Sequence, residues 1–287
     1  MGTFMALNGG FSGSGIIQEV RMFDHAIAAC TSSEQDYAMA DGTAPDALDA
    51  PMSSERLPFT VRIVQNEVDL WKAVQIRHAA YARHVPTLAQ SLTAPEPPDL
   101  QPGVVVLLAE SKIDGSPLGT MRIQTNAHRP LPLEQSVELP SWMGGKRMAE
   151  ATRLGVTEAR VGRVVKTVLF KAFYQYCERN RIEWMVVAGR APIDRQYERL
   201  MFDEVFPGAG FVPLLHAANM PHRVMSFNVD TAQTRWRAAQ HPLFNFIFRT
   251  EHDDINVGPR NSLARPAFTS KVQFFSTVSK KVAVKNM

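Results

Sequence analysis

Cysteine is almost missing from this chain. There are two in 287 residues, Cys30 and Cys177, far apart in sequence. That excludes a disulfide scaffold, and neither cysteine shows metal-ligand spacing. Cys177 falls on the apolar face of a helical pattern, as expected of a buried thiol in a reducing compartment. Long hydrophobic runs are missing too. No stretch reaches the roughly eighteen apolar residues of a membrane span. The opening Met1-Gly-Thr-Phe-Met-Ala-Leu-Asn8 has neither the basic region nor the apolar core of a signal peptide. The expectation is a soluble, cytoplasmic protein with no transmembrane segment. There is no strong excess of charge. The formal net charge is +3 and the isoelectric point about 8.9. Basic residues do not interleave with aromatics in a stripe, so no nucleic-acid partner is expected. A mild positive balance suits an acidic protein partner or an anionic co-substrate. His216, Asn219 and His222 lack metal spacing, and Glu251-His-Asp-Asp254 reads as a solvated polar turn rather than a cation site. No metal is expected. No internal repeat is present.

What is present is a core-forming composition, 45% apolar. That suffices for one large mixed domain with appendages. Residues 1–56 are rich in Gly, Ser, Ala, Asp and Pro, and read as a mobile arm with a short helix over 16–29. Residues 57–230 carry the regular patterns. Residues 231–287 form a C-terminal extension, with a helical segment around Trp236 and a mobile basic tail from Ser279.

Within 57–230 the periodicity gives ten elements. Phe59, Val61 and Ile63 alternate with Thr60 and Arg62 as a strand does. Asn66 caps the helix that follows, with Asp69 three residues on. In that helix Leu70, Val74, Arg77 and Tyr81 share one face. Arg77 thus interrupts an apolar stripe, and needs either a partner, a wet cleft, or room for its head to reach water. Residues 86–102 are a Pro-rich loop containing Asp99. Gly103 to Glu110 reads as a central strand, and 118–124 returns as its hairpin partner. There Thr120, Arg122 and Gln124 share one face, where Arg122 lines a cleft or sits on a solvated sheet. The connection 125–147 is irregular. Met148 to Val156 is a strand, and a helix with a wide apolar face runs from Arg163 to about Asn180. Trp184–Gly189 is a buried strand. Pro192 and Asp194 open another helix, and residues 211–215 and 223–229 close the sheet. Runs of hairpin strands with crossover helices make the fold class α+β, a mixed α/β sheet flanked by helices.

One stretch stands out chemically. Glu150-Ala-Thr-Arg153-Leu-Gly-Val156 puts an acid and an arginine on a core strand. Arg160, Arg163 and Lys166 follow around the start of the next helix. Cations there oppose the helix dipole, which is either tolerated or compensated by a bound anion. On a regular strand Glu150 and Arg153 would face opposite ways. A shared role requires a bulge between them; the plainer alternative is a structural pair.

The element order resembles the GNAT acyltransferase superfamily, whose mixed sheet has a splayed strand pair. Tyr197-Glu-Arg-Leu-Met-Phe202 is similar to that superfamily's Tyr-x-x-Leu-Gly-Phe, with Met201 in the glycine position. The pyrophosphate loop, Arg/Gln-x-x-Gly-x-Gly/Ala in the superfamily, is matched in part by Arg160-Val-Gly162-Arg163, without the second glycine. Glu150-Ala-Thr-Arg-Leu154 resembles the Glu-Ser-Ser-Arg-Phe motif of acyl-homoserine-lactone synthases. Arg77, Asp99 and Arg122 stand where that group carries an arginine, an acid and an arginine. The arm and the extension fit the related long-chain N-acyl amino acid synthases better.

The resemblance implies an enzyme that joins a fatty acyl group, carried by acyl carrier protein or coenzyme A, to the amine of an amino acid. Acyl-phosphopantetheine is then a co-substrate, and no tightly bound cofactor is expected. Glu150 would be the base and Tyr197 the acid that protonates the thiolate. Arg77, Asp99, Arg122 and Arg153 would shape the acceptor site, with Arg153 or Arg77 holding a carboxylate. Arg160, Gly162, Arg163 and Lys166 would meet the pantetheine arm, and an acyl tunnel would be lined by residues such as Val104, Val106 and Phe173. The nearest rivals are a lactone synthase using S-adenosylmethionine and a coenzyme A-dependent N-acetyltransferase, the latter disfavoured by the missing glycine. A catalytically inactive GNAT-like binding module is a further alternative.

Overall fold

The computed structural model describes residues 52–258. The expected helix over 16–29, the rest of the arm to residue 51, Cys30 and the basic tail lie outside the described residues. The chain begins with β1 (Ser53–Ser54) and β2 (Phe59–Ile63). Then comes α1 (Glu67–His84), started as expected by Asn66, whose side chain accepts from the Asp69 backbone N–H. A short α2 (Pro86–Ala89) and a Pro97–Leu100 turn fill the Pro-rich loop. The central hairpin is β3 (Val104–Ser111) and β4 (Pro117–Thr125). Next follow β5 (Met148–Val156), α3 (Val161–Arg179), β6 (Trp184–Gly189) and α4 (Asp194–Arg199). The chain closes with β7 (Asp203–Glu204), β8 (Val212–Leu214), β9 (Met220–Asn228), α5 (Ala232–Ala238), β10 (Thr250–Glu251) and β11 (Ile255–Asn256).

The main sheet runs β11-β2-β3-β4-β5-β6-β9-β7, with β8 on β9. β5 and β6 are parallel, because α3 crosses between them, and they stay paired only from Met148–Trp184 to Ala151–Val187. Beyond Ala151 the two strands part, giving the expected splayed pair.

Strand alternation sorts the core into two faces. Val105, Leu107, Ala109, Met121 and Ile123 point to one face and pack with Val165, Leu169, Phe173 and Cys177 of α3. Val106 and Leu108 point to the other and pack with Val64, Leu70 and Ala73 under α1. This corrects the expected acyl lining. Val106 and Phe173 lie on opposite faces of the sheet, so they cannot wall one tunnel. Residues 231–258 join the first face: Trp236, fully buried, and Ile247 belong to its core, and β11 extends the sheet beside β2.

Two close approaches set the site. A Cβ on Gly155 would meet Ala80 Cβ at 3.0 Å and Arg77 Cα at 3.3 Å, so α1 lies tight against β5. A Cβ on Gly162 would come within 2.0 Å of the Thr157 carbonyl oxygen. Only glycine lets the first turn of α3 fold back onto the end of β5.

Candidate active site

The bulge that a joint role for Glu150 and Arg153 demands is present. Arg122 pairs with Thr152 and Thr120 with Gly155, so β5 spends three residues where β4 spends two. Arg153 absorbs the extra residue with φ of 55°. That left-handed backbone costs a non-glycine residue about 1–3 kcal/mol and persists where surrounding contacts fix it. Neither β4 nor β6 offers Arg153 or Leu154 a register partner.

Those contacts come from a charged cluster. Arg77, on the inner face of α1, is fully buried and donates both ends of its fork to Asp99, at 2.8 and 3.0 Å. Its Nη1 also reaches Glu96 Oε2 at 3.1 Å. Arg122 donates to Thr152 Oγ1 at 3.1 Å, to Glu96 at 3.1 Å and to Asp99 at 3.3 Å. Arg153 grips both Glu96 oxygens at 2.7 Å and donates Nη1 to the His216 carbonyl at 3.1 Å. Three guanidiniums thus surround two carboxylates. Burial alone would raise the Glu96 carboxyl, but the hydrogen bond from Arg153 and the charges of Arg122, Arg153 and Arg77 outweigh it and hold it at about 2.

One expectation changes here, and one open alternative is decided. Arg77 does not hold a substrate carboxylate, because its fork is closed on Asp99 and neither side chain has any exposure. Arg122 is not on a solvated face; it is buried at 2% exposure. The most open members are Arg153 and Glu96, whose side chains are 8% and 16% exposed.

Glu150 sits on the same side, opposite Gln124, with no exposure. One oxygen accepts the Leu133 N–H at 3.0 Å. The other, Oε1, lies 3.4 Å from His216 Nε2 without hydrogen-bond alignment, and has no other partner. Burial raises its carboxyl to about 8, against the Leu133 N–H and the charges of Arg122 and Arg153. His216 is pushed down to about 4 by burial, then by Arg153, His222 and Arg122. Near neutral pH the carboxyl is mostly protonated and the imidazole neutral, so their contact is not an ion pair.

Tyr197 is partly buried at the edge of the first core, packed on Phe202 with ring centroids 5.7 Å apart. Burial and neighbouring Tyr81 raise its phenol well above the usual range, so it is neutral. Met201, in the motif's glycine position, has φ of 63°, which is the conformation a glycine serves there. Arg160 and Arg163 are exposed at the start of α3. Lys166 reaches across to the Gln196 side chain on α4, and burial and Arg163 lower its ammonium.

The structure therefore gathers Arg77, Asp99, Arg122, Arg153 and Glu150 beneath the bulge. It sets Arg160, Gly162, Arg163 and Lys166 around the α3 turn that folds onto the end of β5. Sequence reading missed Glu96 and His216. Glu96 had a signal: it stands three residues before Asp99 across two prolines, the spacing of a capping turn, and its N–H donates to Asp99 at 2.9 Å. His216 had none, since it comes from the turn between β8 and β9.

The family model of the N-acyl amino acid synthase FeeM matches residues 72–222, more than half of the chain. The chain belongs to the FeeM family. It is an acyltransferase of the GNAT fold, acting on nitrogen. Solved FeeM, an N-acyl amino acid synthase from uncultured soil microbes, is similar at 20% identity and a TM-score of 0.50, covering 63% of this chain and 96% of that one. A coenzyme A-dependent acyl-homoserine lactone synthase, BjaI, with SAM and isopentyl-CoA, matches at 14% identity and TM-score 0.47, over 72% and 98% of the chains. Arabidopsis thaliana NAA60 in complex with acetyl-CoA matches at 18% and 0.41, over 60% and 99%. No curated protein sequence matches. The matched residues end before α5, so the segment from there to β11 lies outside the family model. No described helix is long and apolar enough to cross a membrane.

Proposed function

We propose that this protein transfers a fatty acyl group from acyl carrier protein to the amine of an amino acid, in the cytoplasm, giving an N-acyl amino acid. The observation that carries the reading is the bulged β5. It brings a carboxyl poised near pH 8 and a guanidinium edge to one face, beside the opening of β5 and β6.

The amine attacks the thioester carbonyl, the C–N bond forms and the C–S bond breaks. Glu150, as carboxylate, takes the amine proton; a base poised near the working pH suits that task. Backbone N–H groups at Arg153 and Leu154, which have no register partner, donate to the oxyanion. Tyr197, neutral through burial, supplies the proton to the departing thiolate. Arg153 meets an acceptor carboxylate first, while Arg77, Asp99 and Arg122 brace it from behind. Gly162 lets the turn of α3 approach β5, and Arg160, Arg163 and Lys166 receive the phosphopantetheine arm.

Acyl carrier protein is acidic, and the exposed Arg160 and Arg163 favour its encounter. Mass spectrometry of lipid extracts from an expressing host tests the reading; an added N-acyl amino acid identifies both halves. A lactone formed with consumption of S-adenosylmethionine would overturn it. For the donor, the expected result is a rate with acyl carrier protein that falls with added salt while the rate with acyl-CoA changes less. Equal salt response would remove the carrier preference.

A further inference from the structure

His216 faces the one oxygen of Glu150 that nothing else occupies. The imidazole sits in the Leu215–Ala217 turn, and that turn is fixed from three sides. Ser136 Oγ accepts the Leu215 N–H at 2.8 Å. Asn219 N–H returns to the Leu214 carbonyl at 2.9 Å, through the left-handed residues Ala218 and Asn219, both at φ of 56°. Arg153 Nη1 donates to the carbonyl of His216 itself at 3.1 Å. The same bulged arginine therefore locates the turn that carries the imidazole, and the imidazole stands 3.4 Å from Glu150 Oε1.

We propose that His216 is a positioning residue for Glu150, holding its carboxyl in orientation by a hydrogen bond that changes direction as the acid titrates. This rests on the reading of Glu150 as the base. A small rotation turns the 3.4 Å approach into an aligned bond. When Glu150 is protonated, its O–H donates to a bare Nε2. When Glu150 is ionised, the other tautomer donates Nε2–H to the carboxylate. Neutral imidazole serves both states without adding charge. Burial, Arg153 on β5, His222 on β9 and Arg122 on β4 oppose protonation of His216 and outweigh the Pro132 carbonyl, which favours it; Glu134, in the Pro132–Gln135 turn, opposes ionisation of Glu150. Leu133 N–H holds the second oxygen, so the carboxyl has one fixed and one switchable partner.

The test is the pH dependence of thiol release from a decanoyl thioester, with a mixture of the twenty amino acids as acceptors. In His216→Leu both states lose their partner, but the carboxylate loses the stronger, charge-assisted bond, so the rising limb moves to higher pH by about one unit. The rate at pH 7 then falls about tenfold and recovers near pH 10. His216→Gln keeps an N–H of similar reach and stays within about twofold of the parent. An unmoved limb in a folded His216→Leu overturns the proposal. If that variant does not fold, the imidazole nitrogen resonances of the unmodified protein decide. They follow the titration of Glu150 in the parent and lose that response in Glu150→Gln; no response in the parent overturns the proposal. Glu150→Gln run beside them separates the two claims. If it keeps the limb, the base reading fails; if it abolishes the limb while His216→Leu leaves it in place, only the role of His216 fails.

Discussion

Two cations are buried to zero exposure on opposite faces of the sheet, and their environments differ in one respect. Arg77, under α1, is gripped by the carboxylates of Asp99 and Glu96. Lys171, on α3, has as hydrogen-bond partners the carbonyls of Phe246 and Thr250 and Nδ1 of His252 at 3.0 Å. Asp99 and Glu96 compensate the guanidinium of Arg77 in the interior. Among the described residues no carboxylate lies within hydrogen-bond reach of Lys171, and burial lowers its ammonium to about 8, against Glu55 and Glu251. The first arrangement fixes charge next to the opening of the sheet, where it braces Arg153 and the bulge. The second ties α3 to the π-helical turn Asn245–Arg249 and to β10, and so fastens the C-terminal segment. A buried cation with anions that extend to a cleft marks chemistry; one satisfied by carbonyls marks a staple.

The sharpest way to break that contrast is to remove each cation. Arg77→Met strips Asp99 of its bidentate partner in a dry site, and should cost about 3–5 kcal/mol of stability by denaturant unfolding. Arg153→Lys is next. Lysine can reach Glu96 at one point but cannot bridge it and the His216 carbonyl, so about 2 kcal/mol should be lost, with a larger loss of turnover. Lys171→Met is the mildest, about 1 kcal/mol, because removing a desolvated cation offsets the broken hydrogen bonds. Its turnover should match the parent. Equal damage to activity from Lys171→Met would dissolve the distinction.

A finer comparison uses pH. The folded Lys171 binds its proton less tightly than the unfolded chain does. Between about 8 and the ordinary lysine range the unfolded state therefore holds more protons, and stability rises with pH. Glu150 has the opposite sign. Its raised carboxyl means the native state holds more protons between the ordinary glutamate range and about 8, so stability falls as pH rises through that window. Melting curves should lose the first slope in Lys171→Met and the second in Glu150→Gln.

How much of this was readable follows from what periodicity can see. β5 and β6 were bounded correctly because they are continuous buried strands. The two four-spaced rows of α3 are buried as their spacing required. Arg77 announced itself by breaking an apolar stripe, and Glu150 and Arg153 were legible as a pair that only a bulge could join. Glu96 and His216 were not, because each lies in a turn brought in by tertiary packing, where no period runs. The two alternatives for Arg122 stayed open for a related reason. Its alternation was right, but whether that face is covered depends on α1 and the Pro-rich loop. The acyl lining that the resemblance implied failed because strand alternation turns Val106 away from the face that α3 and its Phe173 cover.

The most direct test of the account is the pH dependence of kcat/KM for amide formation in the parent and in Glu150→Gln, with melting temperatures measured beside it. The account predicts a rising limb near pH 8 in the parent. In Glu150→Gln it predicts a loss of at least about a hundredfold with no such limb, together with a higher melting temperature than the parent above pH 8. A Glu150→Gln protein that retains both the rate and the limb would contradict it.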